Sequence, residues 1–135
     1  MKALALVFSL LLLGGCAGGL SIDRKHPSAN HDSRVQWVVV HYTSTDVQHS
    51  LELLTRGGVS SHYLINDTPP TIYRLVDENR RAWHAGDSSW QGRTWLNASS
   101  IGIEIVNPGY SDSSAGRHWY PWNQQQIDAL ILLLG

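Results

Sequence analysis

The segment that decides the fold is Ser100-Ile101-Gly102-Ile103-Glu104-Ile105-Val106-Asn107. Three isoleucines alternate along it, as expected of a β-strand whose side chains point to opposite faces. The same alternation places Gly102, Glu104 and Val106 together on the other face, where the glycine leaves open space. A carboxylate on such a face is either a desolvated general base, with an increased affinity for protons, or a residue on the water-facing side of an edge strand.

The segments around this strand predict an α/β fold. Further strands are predicted at 35–41, 59–66 and 71–76, where valine, isoleucine and aromatic residues cluster. Helices are predicted at 46–56, ending at Gly57-Gly58, and at 123–134, beginning at Asn123. Residues 77–98 and 110–121 are predicted to be loops. We therefore expect a single α/β domain, with a central mixed β-sheet flanked by helices.

Length and composition exclude several classes of protein. A chain of 135 residues is long enough for one domain, and 42% hydrophobic with 16% charged residues is an ordinary globular balance. The formal net charge of −1 comes with no basic stripe that could follow a phosphate backbone. We therefore expect no nucleic-acid partner.

The first residues resemble a bacterial lipoprotein signal. Lys2 precedes an apolar run, Ala3 to Leu13, that is too short to cross a membrane, and Leu13-Gly14-Gly15-Cys16 resembles a lipobox. We expect residues 1–15 to be a signal peptide, Cys16 to carry the lipid and residues 16–33 to form a tether. The expected location is the periplasmic face of the outer membrane. The alternative is an ordinary secretion signal with an incidental cysteine.

Three histidines could take part in chemistry. His41 ends a buried strand, at the sheet edge where α/β proteins commonly build their sites, and its imidazole could bind zinc or simply form a hydrogen bond. His62 lies inside a predicted strand, and His84 lies in Ala82-Trp83-His84-Ala85-Gly86. From the residues alone, His62 and His84 could each be a metal ligand, a substrate contact or a structural hydrogen-bond donor.

Tryptophan is frequent in the second half of the chain. Five of the six tryptophans fall between residues 83 and 122. The indole ring combines a flat apolar face with one polar edge, which suits contact with sugar rings. Packing in the core or in loops is the alternative for at least half of them.

Four blocks together resemble the amidase-2 family of N-acetylmuramoyl-L-alanine amidases, in its outer-membrane lipoprotein branch. They occur in the family's order, as Val38-Val39-Val40-His41-Tyr42-Thr43, Ser60-Ser61-His62-Tyr63-Leu64, Ala82-Trp83-His84-Ala85-Gly86 and Ser100-Ile101-Gly102-Ile103-Glu104. Any one block alone would be weak evidence for the family, but four blocks in order over residues 38–107 make a specific match.

The resemblance implies a function and a role for each site residue. The family uses zinc to hydrolyse the amide bond between N-acetylmuramic acid and L-alanine in peptidoglycan or muropeptides. His41 matches a zinc ligand and Glu104 matches the catalytic glutamate. Trp83 and His84 fall in the block that lines the substrate groove, and the histidine at position 62 matches one with a structural role. We expect a monomer.

The resemblance covers roughly the N-terminal two-thirds of the family's domain, which we place at residues 34–135. The family's second zinc histidine, a lysine and a ligand aspartate belong to a block that follows the last helix, and this chain has no such block. We therefore expect the 135-residue chain to have an incomplete zinc site. Two alternatives to an enzyme remain, a peptidoglycan-binding module without catalysis and an inactive truncated product.

Overall fold

A computed structural model of the protein describes residues 22–135. The predicted signal peptide and Cys16 lie outside the described residues. Residues 32–135 form one compact unit, and residues 22–31 belong to a separate one. The described part of the first unit, residues 22–31, contains neither helix nor strand. No helix within the described part of the chain is both long and apolar enough to cross a membrane.

Residues 32–135 contain eight strands and two α-helices. In chain order they are β1 (Trp37–Tyr42), α1 (Val47–Arg56), β2 (Tyr63–Asn66), β3 (Thr71–Arg74), β4 (Ser89–Trp90), β5 (Arg93–Thr94), β6 (Ser100–Ile105), β7 (Tyr110–Ser113), β8 (Gly116–Trp119) and α2 (Gln124–Leu134), with a short 3₁₀ helix at Leu96–Ala98. Both predicted helices and all four predicted strands are present.

Four strands form the central sheet, in the order β1-β6-β2-β3. β6 runs parallel to both β1 and β2, whereas β3 runs antiparallel to β2. The sheet is therefore mixed, as predicted. The carboxyl ends of three parallel strands meet at one edge, and such an edge is where α/β sheets commonly carry their sites.

One face of the sheet carries the hydrophobic core. Its buried members come from β2 and β6, with partly buried residues of α2 packed against them: Tyr63, Ile65, Ile101, Ile103 and Ile105, with Ala129, Leu130 and Leu133. The isoleucines of β6 all belong to this face, so the alternation read from the sequence is confirmed. Even-numbered residues of β6 consequently face the opposite side, where the site described below is built.

The helix ends follow from capping residues. The Asp46 carboxylate accepts a hydrogen bond from the backbone N–H of His49 at 2.9 Å, which begins α1. Asn123 and Gln126 form a reciprocal capping box at the start of α2. The predicted helix bounds thus differ from the observed ones only by the capping residues themselves.

Three expectations about strands and loops were wrong. Residues 110–121 were expected to be a loop, but β7 and β8 pair there as an antiparallel hairpin. The second predicted strand was expected from residue 59, but β2 begins at Tyr63, because the preceding segment bonds elsewhere: the backbone N–H of Ser60 donates to the carbonyl of Trp83 at 3.0 Å. Residues 77–98, expected to be a loop, contain the two-residue pair β4–β5.

Candidate active site

His41 and Glu104 lie next to each other on adjacent parallel strands. His41 of β1 is the register partner of Glu104 of β6, and Leu64 of β2 pairs with Glu104 on the other side. Register partners in parallel strands point to the same face of a sheet. The two side chains therefore share the face opposite the core, near the carboxyl ends of their strands.

Glu104 is a half-buried carboxylate that lacks a full set of partners. It lines a cavity of about 140 Å³ together with residues of β1, α1 and the segments that follow them: Tyr42, Thr43, Thr45, Ser50, Leu53, Leu54 and Val59. Its Oε2 atom is buried and has no hydrogen-bond partner among the described residues. Burial raises the pKa of the Glu104 carboxyl above its usual value. Such a group is suited to accept a proton from a molecule that enters the cavity.

The imidazole of His41 contacts a second imidazole, that of His84. His41 Nε2 lies 3.1 Å from His84 Nδ1, and the rings meet edge to face at 5.3 Å between centroids. Burial lowers the pKa of His41. His41 is consequently held in its neutral form, which is the form of histidine that binds metal ions.

Hydrogen bonds to Ser100 and Leu96 determine which nitrogen of His84 carries the proton. The Ser100 hydroxyl donates to the carbonyl of Leu96 at 2.6 Å, and it lies 3.1 Å from His84 Nε2. A hydroxyl that has already donated its proton can only accept, so His84 Nε2 carries the hydrogen. The neutral ring then presents a lone pair on Nδ1, and His41 Nε2–H donates to it. Burial, followed by the repulsion that a protonated His41 would exert, lowers the pKa of His84 to about 4.

Gly102 provides the space that the His84 ring occupies. A Cβ atom built on Gly102 would lie 2.3 Å from His84 Cγ and 2.5 Å from Cδ2, which is far inside van der Waals contact. The sequence predicted open space on this face of the strand. The structure confirms that space and shows that the loop histidine fills it.

The side chain of His62, just before β2, forms a hydrogen bond with the backbone of β6. Its Nδ1 accepts the backbone N–H of Gly102 at 2.9 Å, and its Nε2 donates to the carbonyl of Arg80 at 3.0 Å. Both ring nitrogens are thus used, and the side chain is fully buried. Burial is the main reason that the pKa of His62 is lowered. Among the three roles left open by the sequence, this geometry is that of a structural hydrogen-bonding residue.

The loop that carries Trp83 and His84 is held by one asparagine. Asn97 Oδ1 accepts the backbone N–H groups of His84 and Ala85 at 3.0 and 2.8 Å. The indole of Trp83 is 52% exposed, does not line the Glu104 cavity, and carries the Arg81 guanidinium 4.3 Å above its ring. The structure therefore brings His41 into contact with His84 and pairs it in register with Glu104, while neither the two histidines nor Trp83 line the Glu104 cavity.

Sequence reasoning missed the roles of Ser100 and Asn97. Ser100 is a polar residue inside an apolar strand, and Asn97 is a buried polar residue next to it, at 0% and 5% exposure. The buried position of a serine in such a strand was the one available signal.

The described residues do not form a complete metal site. Within residues 22–135, no three side chains of His, Cys, Asp or Glu are grouped closely enough to hold a metal ion.

Comparison with known proteins gives several consistent matches. Residues 31–135 match the family profile described as N-acetylmuramoyl-L-alanine amidase. The chain is 42% identical over 142 residues to the N-acetylmuramoyl-L-alanine amidase AmiD of Escherichia coli strain K12, covering 95% of this chain and 51% of AmiD. It is 51% identical over 47 residues to the 1,6-anhydro-N-acetylmuramyl-L-alanine amidase AmpD of Citrobacter freundii, covering 35% of this chain and 25% of that protein.

Solved structures give the same picture. The E. coli AmiD complex with the substrate anhydro-N-acetylmuramic acid-L-Ala-D-gamma-Glu-L-Lys superposes with a TM-score of 0.76 at 40% identity, covering 86% of this chain and 48% of that one. AmpDh3 of Pseudomonas aeruginosa in complex with anhydromuramic pentapeptide gives 0.74 at 38% identity, covering 85% and 50%. The chain spans about half the length of these two amidases. On the extent of the family match, this chain belongs to the N-acetylmuramoyl-L-alanine amidase family.

Proposed function

We propose that this chain carries the catalytic base of an enzyme that hydrolyses the amide bond between N-acetylmuramic acid and L-alanine, in peptidoglycan or in muropeptides. The observation that carries the proposal is the Glu104 carboxylate, which lines the cavity and whose buried Oε2 has no hydrogen-bond partner among the described residues. Its raised pKa suits a group that must gain and lose a proton near neutral pH. Family membership and the substrates named for AmiD and AmpDh3 support the choice of bond.

Glu104 acts first as a base and then as an acid. Its free carboxylate oxygen takes a proton from the attacking water, and the same carboxyl then gives that proton to the amine of the leaving L-alanine. Both transfers need an oxygen that is not engaged elsewhere, and Oε2 meets that requirement. The neutral imidazoles of His41 and His84 lie on the same side of the sheet and bear no positive charge that would lower the pKa of the Glu104 carboxyl.

We further propose that zinc serves this reaction and that His41 supplies one of its ligands. Catalytic zinc takes three protein ligands and keeps one position for water, whose pKa it lowers. The described residues do not contain three grouped ligands, so they fit the metal only in part. The proton transfers assigned to Glu104 are therefore derived without a metal-bound step.

We propose that Trp83 and His84 both contact the substrate, His84 through a fixed imidazole and Trp83 through an exposed indole. His84 is held in a fixed position by His41 and Ser100, and its ring fills the space over Gly102, on the same face of the sheet as Glu104. The exposed ring of Trp83 offers a flat apolar surface beside that loop.

For the cellular location, we propose a monomer anchored through Cys16 to the outer membrane, facing the periplasm. The support is the lipobox-like sequence before Cys16, since several buried acyl chains hold a protein on a membrane almost permanently. Replacing Cys16 with alanine should release the protein from the membrane fraction. Unchanged fractionation of Cys16→Ala would contradict the anchor and leave the proposed reaction unaffected.

The proposed reaction is tested by digesting purified peptidoglycan and weighing the products by mass spectrometry. The whole enzyme is this chain extended by the family's block that follows the last helix and carries the remaining zinc ligands. We expect it to release stem peptides that begin with L-alanine. Binding of peptidoglycan with the lactyl–alanine amide left intact would contradict catalysis and favour a binding module.

A further inference from the structure

A series of hydrogen bonds leads from the 3₁₀ helix to the ring of His41. The Ser100 hydroxyl lies 2.6 Å from the carbonyl oxygen of Leu96 and 3.1 Å from Nε2 of His84. Nδ1 of His84 lies in turn 3.1 Å from Nε2 of His41. We call these four residues the Ser100 network.

The direction of every hydrogen bond in the Ser100 network follows from the carbonyl at its far end. A carbonyl oxygen can only accept, so the single proton of the Ser100 hydroxyl is donated to Leu96. The hydroxyl oxygen then accepts from Nε2–H of His84, which leaves Nδ1 of that neutral ring with a lone pair. Nδ1 can only accept, so Nε2 of His41 carries the proton between the two rings. The tautomer of His41 is therefore decided by a carbonyl three hydrogen bonds away.

The second ring nitrogen of His41 takes no part in the Ser100 network. Nε2 is engaged with His84, whereas Nδ1 of His41 forms no hydrogen bond within residues 22–135. A neutral imidazole with its proton on Nε2 carries a lone pair on Nδ1. Histidines that bind metal ions almost always donate their other ring N–H to a fixed acceptor, which sets the orientation of the ring. His41 has this arrangement, with His84 as the acceptor.

The acceptor in this arrangement is held rigidly. Ser100 is fully buried in β6, and the His84 ring fills the space over Gly102, where a Cβ atom would lie 2.3 Å from its Cγ. The backbone of His84 is held separately, since Asn97 Oδ1 accepts its N–H at 3.0 Å. Ring and backbone of His84 are thus fixed by different groups, and the direction of the Nδ1 lone pair is fixed with them.

We propose that Ser100 and His84 are positioning residues for His41, and that they set its ring to bind the metal through Nδ1. This assignment rests on the proposed function, because that function makes His41 a zinc ligand. Ser100 acts only through His84, whereas His84 acts directly on the ring of His41 by accepting its Nε2–H.

The alternative use of the same atoms is one metal ion shared by Nε2 of His41 and Nδ1 of His84. Two imidazole nitrogens that are 3.1 Å apart can both lie about 2 Å from one zinc ion. His41 would then need its lone pair on Nε2 and its proton on Nδ1, which is the opposite tautomer. The two arrangements are therefore distinguished by the position of one proton.

NMR of the metal-free chain with isotope-labelled histidine rings reads the tautomers without any substitution. Long-range proton–nitrogen correlation spectra, recorded at mildly alkaline pH where the rings are neutral, separate a protonated ring nitrogen from one with a lone pair. We expect both His41 and His84 to carry the proton on Nε2. His62 is an internal reference with the same tautomer, because its Nδ1 accepts the backbone N–H of Gly102. A proton on Nδ1 of either His41 or His84 would overturn the proposal.

Zinc added to the same sample identifies the atom that binds. At saturating zinc, the Nδ1 resonance of His41 should shift while its Nε2 keeps the proton. A shift of the His41 Nε2 resonance with loss of that proton would show the shared ion instead, and would contradict the proposal.

Ser100→Ala tests the Ser100 network itself, since it removes the acceptor of the His84 Nε2–H. We expect His84 and His41 each to become a mixture of both tautomers, while His62 stays unchanged. In the whole enzyme, the affinity for zinc should fall by about 10–100-fold, the usual loss when a partner of a metal-binding histidine is removed. Ser100→Thr keeps the hydroxyl and should keep the tautomers of the unmodified chain. If Ser100→Ala does not fold, the spectra of the unmodified chain and of Ser100→Thr still decide the proposal.

Ser61→Ala is the matched control. Ser61 is also fully buried, and its hydroxyl donates to a main-chain carbonyl, that of Tyr63, at 2.9 Å. The substitution removes a comparable hydrogen bond from a position outside the Ser100 network. The tautomers of His41 and His84 and the affinity for zinc should therefore be unchanged. Equal losses of zinc affinity in Ser61→Ala and Ser100→Ala would show a merely structural role for Ser100 and overturn the proposal.

The tautomers are measured independently of catalysis, so the two proposals fail separately. A proton on Nε2 of both rings, with the lactyl–alanine amide left intact by the whole enzyme, would support the Ser100 network and contradict the proposed function. Cleavage of that amide by an enzyme whose His41 carries its proton on Nδ1 would do the reverse.

Discussion

The imidazole of His84 lies directly above Gly102, in the space that any other side chain at that position would need. The ring is held there between His41 Nε2 and the Ser100 hydroxyl, both at 3.1 Å. A glycine in the central strand thus determines where a loop histidine stands, and the loop histidine in turn holds the ring of the proposed zinc ligand.

The first prediction concerns Gly102→Ala. The added methyl group would overlap the His84 ring at 2.3 Å, so the ring must leave its contacts with His41 and Ser100. Overpacking of this kind costs about 1–3 kcal/mol of unfolding free energy. We expect a lower midpoint in denaturant and, in the whole enzyme, a loss of amide hydrolysis larger than the loss of stability explains.

The control for this substitution is Gly58→Ala. Nothing lies within 4 Å of a Cβ built on Gly58, so the same chemical change meets open space. Its denaturation midpoint should equal or slightly exceed that of the unmodified chain. Equal effects of the two alanines would show that the His84 ring moves aside without cost.

The second prediction concerns Glu104→Gln. Loss of the proton-accepting oxygen should reduce hydrolysis by about 10²–10⁴-fold in the whole enzyme. Burial raises the pKa of the Glu104 carboxyl, so this group contributes stability when protonated, below its unfolded pKa, and loses that contribution as pH rises through its folded pKa. At neutral pH the neutral amide should therefore raise the unfolding temperature.

Activity and stability thus move in opposite directions for Glu104→Gln, and this combination is the diagnostic result. A variant that loses both would indicate that the carboxylate has a structural partner. Product masses and thermal unfolding are measured on the same samples.

Local patterns in the sequence predicted the strands of the central sheet and identified His41 and Glu104 as candidate site residues. The isoleucine alternation in β6 is a period-two signal strong enough to assign each residue to a face, and the residues of β1 that precede His41 form a continuous apolar run. The hairpin β7–β8 was missed because both of its faces are exposed, which removes the contrast between apolar and polar positions on which strand prediction depends.

The hydrogen bonds around His84 could not be predicted from sequence for a different reason. The contact between His84 and Ser100 joins a loop to a strand, and the Ser100 hydroxyl is directed by the carbonyl of Leu96 in the 3₁₀ helix. No local periodicity encodes such a contact. Similarly, the late start of β2 depends on Ser60 bonding to Trp83, far along the chain.

The third prediction concerns metal binding by the 135-residue chain. A closed zinc site in a small domain binds with about 10–16 kcal/mol, and it needs three or four ligands. Calorimetric titration with zinc should give much weaker binding, which His41→Ala abolishes. The matched control is His49→Ala, since His49 is an exposed histidine on α1. Tight binding, or loss of binding in both variants, would contradict His41 as the ligand.

The fourth prediction concerns acid stability and His84. Mainly through burial, the pKa of His84 is lowered from its usual value of 6.5 to about 4, so the unfolded chain binds more protons between these pH values. Stability from this group is therefore fully present above pH 6.5 and is lost as the pH falls towards about 4. Urea unfolding of the full chain at a series of pH values measures this slope. His84→Gln keeps a hydrogen-bonding side chain without the titration, so its unfolding free energy should fall less steeply over the same window, whereas His49→Gln, which alters an exposed histidine, should follow the unmodified chain. Parallel curves for His84→Gln and the unmodified chain would show that the acid sensitivity arises elsewhere, with the partly buried His41 as the next position to substitute.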